Sequence, residues 1–282
     1  MIIQFLNGLS YSVILFLLSS GLCLMFGLMR IVNLAHGSLY MLAGYVGFSI
    51  SKATDSFALA LLGGMACAAL ISLAMERGLL RFLYKQDVEQ LLVTFGLIYI
   101  LNNLARDIWE GHTCFVTVPD FLAGVVQLFG ITYSIYRLAL ILIGFAVAAF
   151  LWLLEEKTKI GAIIRAGVDD AEMVEGMGKN VKLIFTLVFV FAGAFAGLGG
   201  VLGSVLTGVF LGVDGIVLIL SLIVIVIGGM GSLKGAMLGS LLIGFADVFG
   251  KAYFPQAAYF IVYGIMVTVL VIKPSGLMGE AE

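Results

Sequence analysis

The stretch LIFTLVFVFAGAFAGLGGVLGSVLT, residues 183–207, decides the fold class of this chain, because it contains no charged residue from end to end. A helix needs about 20 mainly apolar residues to cross a lipid bilayer. Comparable charge-free runs cover residues 1–29, 31–51, 56–75, 90–105, 138–154, 215–233, 235–246 and 252–272. Open sheets cannot satisfy their backbone in lipid. The sequence therefore predicts an all-α integral membrane protein, a polytopic helical bundle of about eight to nine transmembrane helices that can include broken or re-entrant segments.

The composition supports the same class. Apolar residues make up 62% of the chain and charged residues 11%, and the mean hydropathy is +1.18. Soluble domains carry about 25% charged residues, so we expect residues 1–282 to form a single transmembrane domain. The net charge of −2 gives no reason to expect a nucleic-acid partner, and three cysteines without CxxC spacing indicate neither a disulfide framework nor a metal site.

The basic residues predict the orientation. With nine alternating spans and the N-terminus outside, eleven of the fifteen Lys and Arg residues face the cytoplasm and four face out. Cytoplasmic loops carry the excess of Lys and Arg in membrane proteins. We therefore expect an outside N-terminus, a cytoplasmic C-terminus and an outer loop at about residues 106–137.

The longest charged segment, residues 155–182, is predicted to be cytoplasmic, and it contains five basic and six acidic residues. Its apolar residues recur at three- and four-residue spacings, which is typical of an amphipathic helix with one apolar stripe. They are Ile160, Ile163, Ile164, Val168, Ala171 and Val174. One interpretation places the stripe on the lipid headgroups or on the bundle itself; the other makes the segment a docking surface for a soluble partner.

Asn33, Ala35, His36 and Gly37 lie at the mouth of the second span and are candidates for the translocation pathway. Polar groups at membrane depth usually face the bundle interior or a water path. The ordinary interpretation is a helix cap, in which Asn33 accepts a hydrogen bond from a helix-start amide and His36 bonds to a carbonyl. For an isolated Asn-x-x-His pattern, the cap is the favoured interpretation.

Two further groups are candidates for the pathway or its gates. Asn102 and Asn103 lie at the predicted outer end of the fourth span, where an interfacial cluster is the ordinary interpretation. Gly229, Gly231 and Ser232 belong to a glycine-rich turn or broken helix, whose spacing fits neither a Walker loop nor a dinucleotide fingerprint.

Two acids, Asp214 and Asp247, are predicted to lie close to span ends. Asp247 is a candidate for a role in transport if it lies deep in the membrane, but it can equally pair with Lys251 four residues later. The sequence shows no obvious carboxylate clamp for a solute.

Small residues recur at four-residue spacing within residues 183–207. Gly193 and Gly197 form one GxxxG pair, and Gly199 and Gly203 form another. Such pairs let helix backbones approach closely. We expect a tight packing seam within a transporter core or at a subunit interface.

Catalytic motifs are missing from the sequence: it contains no GxSxG, no HExxH and no GxxxxGK[ST]. We therefore expect no enzyme. If transport is driven by ATP, another chain must hydrolyse it.

Taken in order, these motifs resemble the permease subunits of branched-chain amino-acid ABC importers, and most of all the shorter, H-type permease of the pair. The resemblance rests on FLNGL at 5–9, GLMRIVNLAHG at 27–37, MLAGY at 41–45, TKIG at 158–161, Arg165-Ala166, Asp169, Met177-Gly178, the Ala- and Gly-rich span 192–203, GGMGS at 228–232 with Gly235, and KPSGL at 273–277. Nearly the whole chain is covered.

The resemblance implies that the central loop is the segment that inserts into the ATPase subunit. The matching residues are Thr158, Gly161, Arg165, Ala166, Asp169, Gly176 and Gly178. Where the family often shows Gly-Ile-Asp/Asn, this chain reads Gly-Met-Gly-Lys-Asn at 176–180, with one additional glycine at this corner.

The resemblance also implies the partners: a second permease subunit, two ATP-binding subunits that carry ATP and Mg²⁺, and an extracytoplasmic solute-binding protein. This chain would hold no cofactor and would lie in a bacterial or archaeal plasma membrane. The expected solute is a branched-chain or other aliphatic amino acid, with urea, short amides and aromatic acids as the family's other solutes.

Two rival functions belong to other classes. A stand-alone secondary transporter or channel would need no ATPase and calls for a coupling acid in mid-span, which the sequence does not clearly offer. An intramembrane enzyme is disfavoured, because no catalytic constellation is present.

Overall fold

The computed structural model describes residues 1–29, 33–84, 86–128, 130–159, 161–163, 166, 171–178 and 180–279. The helices that precede the central segment are α1 (Ile2–Met29), α2 (His36–Thr54), α3 (Phe57–Gly78), α4 (Asp87–Trp109), the single turn α5 (Asp120–Ala123) and α6 (Ile135–Lys157). Those that follow are α7 (Ala171–Gly176), α8 (Val181–Thr207), α9 (Val213–Gly228), α10 (Leu233–Tyr253) and α11 (Ala258–Ile272). Short 3₁₀ turns cover Leu80–Leu83 and Pro255–Ala257.

The predicted fold class is confirmed. Within the described residues, seven helical segments are long and apolar enough to cross a membrane, namely those of α1, α3, α4, α6, α8 and α10, and the last one, Pro255–Ile272. The shorter apolar helix α9 also belongs to the bundle. The predicted run 235–246, which seemed short for a span, is part of the 21-residue helix α10.

The core of the bundle forms around α1 and α8. Helix α1 packs against α6, α8, α9 and α10, and α8 packs against α1, α2 and α3. Most of the membrane-length window of α1 is buried, whereas α3, α4, α6 and α11 bury less than a third of theirs. These four helices therefore present apolar surface to lipid or to another membrane protein.

The two ends of the bundle differ in what they carry. We call the end at which α6 ends and α8 begins the basic end. We call the opposite end the hairpin end, because the antiparallel strands β1 (Val125–Leu128) and β2 (Ile131–Ser134) lie there, between α5 and α6. The loop before the hairpin is tied to the bundle by a two-way backbone bridge between Cys114 and Val209, with N···O distances of 2.9 and 2.8 Å.

Glycines on α8 create the close packing of the core. A Cβ added at Gly197 would lie 2.8 Å from the carbonyl oxygen of Gly64 on α3, and one at Gly193 would lie 2.8 Å from that of Ala68. A Cβ at Gly203 would overlap the hydroxyl of Tyr40 on α2, and one at Gly199 would meet Leu17 of α1 at 3.5 Å. The two GxxxG pairs therefore pack against different helices of the same chain.

Candidate functional site

Two helices begin inside the bundle rather than at its ends. His36, the first residue of α2, lies beside the middle of α1, with its Nε2 3.2 Å from the carbonyl oxygen of Leu18. Asp214, in the first turn of α9, lies so close to α2 that a Cβ on Gly37 would overlap the Asp214 carbonyl oxygen. Only glycine at position 37 allows the two helix starts to meet at this distance.

The depth of this meeting point follows from helix lengths. Ser38 is 16 residues from the end of α2, and Asp214 is 14 residues from the end of α9. Asn102 is 15 residues from the start of α4. At 1.5 Å of rise per residue, each lies roughly 20–25 Å from its helix end, which is near the middle of the bundle.

The three residues form one hydrogen-bonded cluster, which we call the central cluster. Oδ2 of Asp214 accepts a hydrogen bond from Oγ of Ser38 at 3.0 Å and from Nδ2 of Asn102 at 2.6 Å. The side chain of Asp214 is buried, and among the described residues no cation pairs with it. The central cluster thus places a carboxylate with two neutral partners at mid-depth.

Sequence reasoning did not find this cluster. Spans were bounded by charged residues, so Asp214 was placed near a span end, whereas α9 begins within the bundle and carries the acid at mid-depth. Asn102 and Asn103 were grouped together, but the structure separates them. Nδ2 of Asn103 bonds back to the carbonyl of Tyr99 on the exposed face of α4, while Asn102 reaches into the bundle.

The predicted cap is found only in part, because Ala35 is the N-cap residue of α2 and no side chain caps that helix, so Asn33 bonds to the residue before the helix. Oδ1 of Asn33 accepts from the backbone N–H of Ala35 at 3.1 Å, and His36 bonds to a carbonyl. Both side chains are fully buried, and Nδ2 of Asn33 and Nδ1 of His36 have no hydrogen-bond partner among the described residues. Buried polar atoms without partners are uncommon in native structures.

The glycine-rich turn lies at the basic end, far from the central cluster. Oγ of Ser232 caps α10 by accepting from the N–H of Gly235 at 3.1 Å. Gly229 and Gly231 have φ angles of +106° and +88°, which glycine adopts readily. A Cβ on Gly229 would overlap Gly279 in the C-terminal tail, so this turn serves to pack the tail against the bundle.

The C-terminal tail is held there by its backbone. The N–H groups of Leu277 and Met278 donate to the carbonyls of Ile227 and Gly228 at 2.7 and 2.9 Å. The tail therefore extends the hydrogen bonding of α9 beyond the end of that helix.

The central segment, residues 155–182, has a buried and an exposed side. Gly161 and Val174 are buried, and Ile163 lines an apolar cavity of about 110 Å³ together with residues of α1, α6 and α8. Thr158, Gly176 and Gly178 are exposed, and Ala166 is half-buried. Arg165 and Asp169 lie outside the described residues, as do Ile160, Ile164 and Val168.

Two local features join this segment to the bundle. Oγ1 of Thr158 accepts from the N–H of Gly161 at 3.1 Å, and a Cβ on Gly161 would overlap the carbonyl of Leu154. At the other end, Oδ1 of Asn180 caps α8 by accepting from the N–H of Leu183 at 3.0 Å. The segment therefore continues directly into α6 on one side and α8 on the other.

A second buried carboxylate lies at the basic end, close to the segment. The fully buried Glu76 of α3 accepts from the hydroxyl of Tyr84 and from Oγ1 of Thr186 on α8, the latter at 2.9 Å. Burial, followed by the hydrogen bond with Glu76, raises the pKa of the Tyr84 phenol, which therefore remains a donor at neutral pH. This network links α3, the loop after it and the start of α8.

The other acid, Asp247, is buried and paired. Its Oδ2 lies 2.7 Å from Nζ of Lys251, four residues later on α10. Within the described part of the chain, no three His, Cys, Asp or Glu side chains are grouped so as to hold a metal ion.

Comparison with known proteins identifies the family. A family model described as "Branched-chain amino acid transport system / permease component" matches residues 4–270. The chain belongs to this family. The resemblance seen in the sequence motifs is confirmed, and members of the family are permease components of transport systems rather than enzymes.

Three relatives match this chain over nearly its whole length. It is 28% identical to the high-affinity branched-chain amino acid transport system permease protein BraD of Pseudomonas aeruginosa, across 99% of this chain and 96% of that protein. It is 26% identical to the LivH permease of Escherichia coli K12, with the same coverage, and 25% identical to a probable LivH permease of Methanocaldococcus jannaschii, across 97% and 91%. The multi-pass permease assignment therefore applies to the whole chain.

A solved structure supports the fold alone. A chain of PsaBC from Streptococcus pneumoniae, determined in complex with Fab, superposes with a TM-score of 0.50 at 15% identity, covering 94% of this chain and 89% of that one.

Proposed function

We propose that this permease is the membrane-spanning subunit of an ATP-driven importer and forms part of the pathway for a branched-chain or other aliphatic amino acid. Its relatives BraD and LivH are branched-chain amino acid permeases by name, which supports the solute class. Its partners would be a second permease, two ATP-binding subunits that carry ATP and Mg²⁺, and an extracytoplasmic solute-binding protein. The basic end would face the cytoplasm, in line with the distribution of Lys and Arg.

The observation that carries the ATP-coupling proposal is the two-sided character of the central segment. Gly161 and Val174, on its inner side, are buried against the bundle. The interpretation that the apolar stripe lies on the bundle therefore describes the inner side, and the docking interpretation describes the outer side. Its outer side exposes two large apolar side chains, Met173 at 64% and Met177 at 59%, beside the exposed Glu175. Exposed methionines outside the lipid are typical of a surface that another protein covers.

Force on this segment would reach the pathway through packed helices. Helix α7 packs on α8, and α8 is bonded through Thr186 to Glu76 at the end of α3. A two-state movement of the ATP-binding subunits would then shift α8 against α3, along the seam of Gly193 and Gly197. Interfaces packed this tightly move between discrete arrangements rather than deforming gradually.

The docking proposal is tested with a double variant, M173E/M177E, which places two charges on the outer side without touching the buried side. The measurement is the amount of ATP-binding subunit that co-purifies with the tagged permease in mild detergent. We expect at least about a tenfold loss, because each buried unpaired charge costs a few kcal/mol at an interface.

The matched control is Met230→Glu, at the same end of the bundle and 61% exposed, but in the turn after α9. It is expected to retain the ATP-binding subunit. Full retention by M173E/M177E, or equal loss by the control, would refute the assignment of the docking surface to the central segment.

One observation favours the alternative of a stand-alone secondary transporter or channel. Such a protein calls for an acid at mid-depth, and Asp214 lies there. The two functions are separated by reconstituting the permease alone in liposomes. Solute uptake by the permease alone, driven by an ion gradient and without ATP, would replace the importer proposal.

A further inference from the structure

We infer that Asp214 is the binding site for the ammonium group of the transported solute at the centre of the membrane. The inference rests on the proposed function, because it assigns to the permease pathway a solute that carries an amino group. It also narrows that function, since it favours amino acids over the family's uncharged solutes.

The first step is the unbalanced charge. A carboxylate at mid-depth in a membrane protein is costly unless a cation, donors or water compensate it. Ser38 and Asn102 are both neutral, so they satisfy hydrogen bonds without cancelling the charge. The starts of α2 and α9 meet here, and each helix N-terminus contributes roughly half a positive charge at most. No full positive charge lies beside the acid among the described residues, which leaves a position that a cation can take.

The second step is unused acceptor capacity. Both hydrogen bonds to Asp214 end on Oδ2, and Oδ1 receives none from the described residues. An ammonium group has three N–H donors, and Oδ1 of Asp214 can accept from one of them.

The third step is space beside the acid. Gly215 follows Asp214 on α9 and is exposed, and a Cβ added there would meet nothing within 4 Å. The same holds for Gly212, one residue before α9. Ile216 and Ile219 continue this open face of α9, with exposures of 42% and 47%. A solute can therefore approach the first turn of α9 along a surface that the permease itself leaves uncovered.

Asp247 is the other buried aspartate in the described part of the chain, and its Oδ1 likewise has no hydrogen-bond partner there, but a cation lies beside its Oδ2. Nζ of Lys251 lies 2.7 Å from that oxygen and supplies the opposite charge. Asp214 has no such partner among the described residues, and its hydrogen bonds join the helices α2, α4 and α9.

The test uses the whole complex, captured through the tagged permease from native membranes and reconstituted with ATP and the solute-binding protein. Uptake of radiolabelled leucine and ATP hydrolysis are measured in the same vesicles for wild type, Asp214→Asn and Asp247→Asn. The amide at position 214 still accepts from Ser38 and Asn102, so it removes the charge and keeps the cluster. We expect leucine uptake to fall at least about tenfold in Asp214→Asn, with subunit content unchanged, and to stay within about twofold of wild type in Asp247→Asn.

Three results would overturn the inference: leucine uptake by Asp214→Asn within twofold of wild type, equal loss in both variants, or loss of the partner subunits from Asp214→Asn alone. If the wild-type complex transports only urea or short amides, the inference that Asp214 binds an ammonium group is wrong, but the importer proposal is unaffected. ATP-independent uptake by wild type would instead contradict the importer proposal.

A steric variant provides a second readout that does not depend on the charge. Gly215→Leu places a side chain on the exposed face of α9 next to Asp214, at a position where an added Cβ meets no atom within 4 Å, and we expect it to block leucine uptake in an assembled complex. The control is Gly264→Leu on α11, where an added Cβ also meets nothing within 4 Å and the residue is equally exposed. Wild-type uptake by Gly215→Leu would contradict the proposed approach to Asp214.

Discussion

Gly197→Ala is the substitution whose consequence follows most directly from the packing of α8 on α3. The new Cβ would lie 2.8 Å from the carbonyl oxygen of Gly64 and 2.9 Å from Cα of Met65, whereas ordinary contacts are 3.4–4 Å. Both neighbours are backbone atoms, which cannot rotate away as a side chain can. The two helices must therefore separate by about half an ångström along this seam.

The magnitude follows from the cost of overpacking, which is typically about 1–3 kcal/mol. In a chain of this size, each kcal/mol shifts the melting temperature by roughly 2–4 °C. The expected result is a melting temperature lower than wild type by roughly 2–12 °C. It is measured in detergent by following the monodisperse peak after heating.

The matched control is Gly96→Ala on α4, where an added Cβ meets nothing within 4 Å. Alanine is favoured over glycine in a helix by about 0.5–1 kcal/mol, so this variant should melt at or above the wild-type temperature. If Gly197→Ala and Gly96→Ala have the same melting temperature, the close approach of α8 and α3 is refuted.

The remaining predictions concern charged and polar contacts. Lys251→Met leaves the buried Asp247 without its half-exposed cation and should cost about 1–3 kcal/mol of stability, seen as a lower melting temperature. Lys234→Met breaks an exposed ion pair with Glu156 and should change stability by less than about 1 kcal/mol in the same assay. Tyr84→Phe removes one donor to a buried carboxylate of α3 and should cost about 1–3 kcal/mol.

Each of these predictions has a result that contradicts it. Equal melting temperatures for Lys251→Met and Lys234→Met would mean that burial does not separate the two ion pairs. For Tyr84→Phe the control is Tyr99→Phe, an exposed tyrosine whose hydroxyl makes no hydrogen bond with the described residues. If the two Tyr variants have the same melting temperature, the Tyr84 hydroxyl does not contribute to the stability of the permease.

The helical bundle could be predicted from the sequence, because the thickness and the apolar character of the hydrocarbon layer constrain the length and the polarity of every spanning helix. The run 183–207 became α8 within two residues at its start and at the same residue at its end. The family followed from motifs spread along the chain. These properties are local to each segment, so one sequence carries them.

The central cluster could not be predicted because it depends on which helices meet. Nothing in the local sequence shows that α9 begins inside the bundle, or that Ser38 and Asn102 reach the same carboxylate oxygen. A charged residue between two apolar runs indicates the end of a span, and Asp214 was predicted to lie close to a span end for that reason. The usable clue was Gly37, whose missing side chain makes room for the start of α9.

The central segment was predicted only in part, for a related reason. Its amphipathic pattern was visible, but a pattern does not say whether an apolar stripe contacts lipid, the bundle or a partner. The structure shows that Gly161 and Val174 face the bundle and that Met173 and Met177 face outward.

The central claim, that this permease works as one subunit of an ATP-driven importer, is tested most directly by purifying it from native membranes in mild detergent and identifying by mass spectrometry every protein that remains bound. The account predicts an ATPase with a Walker loop and a second permease, in stoichiometric amounts. A stable, monodisperse permease recovered without either partner would contradict it.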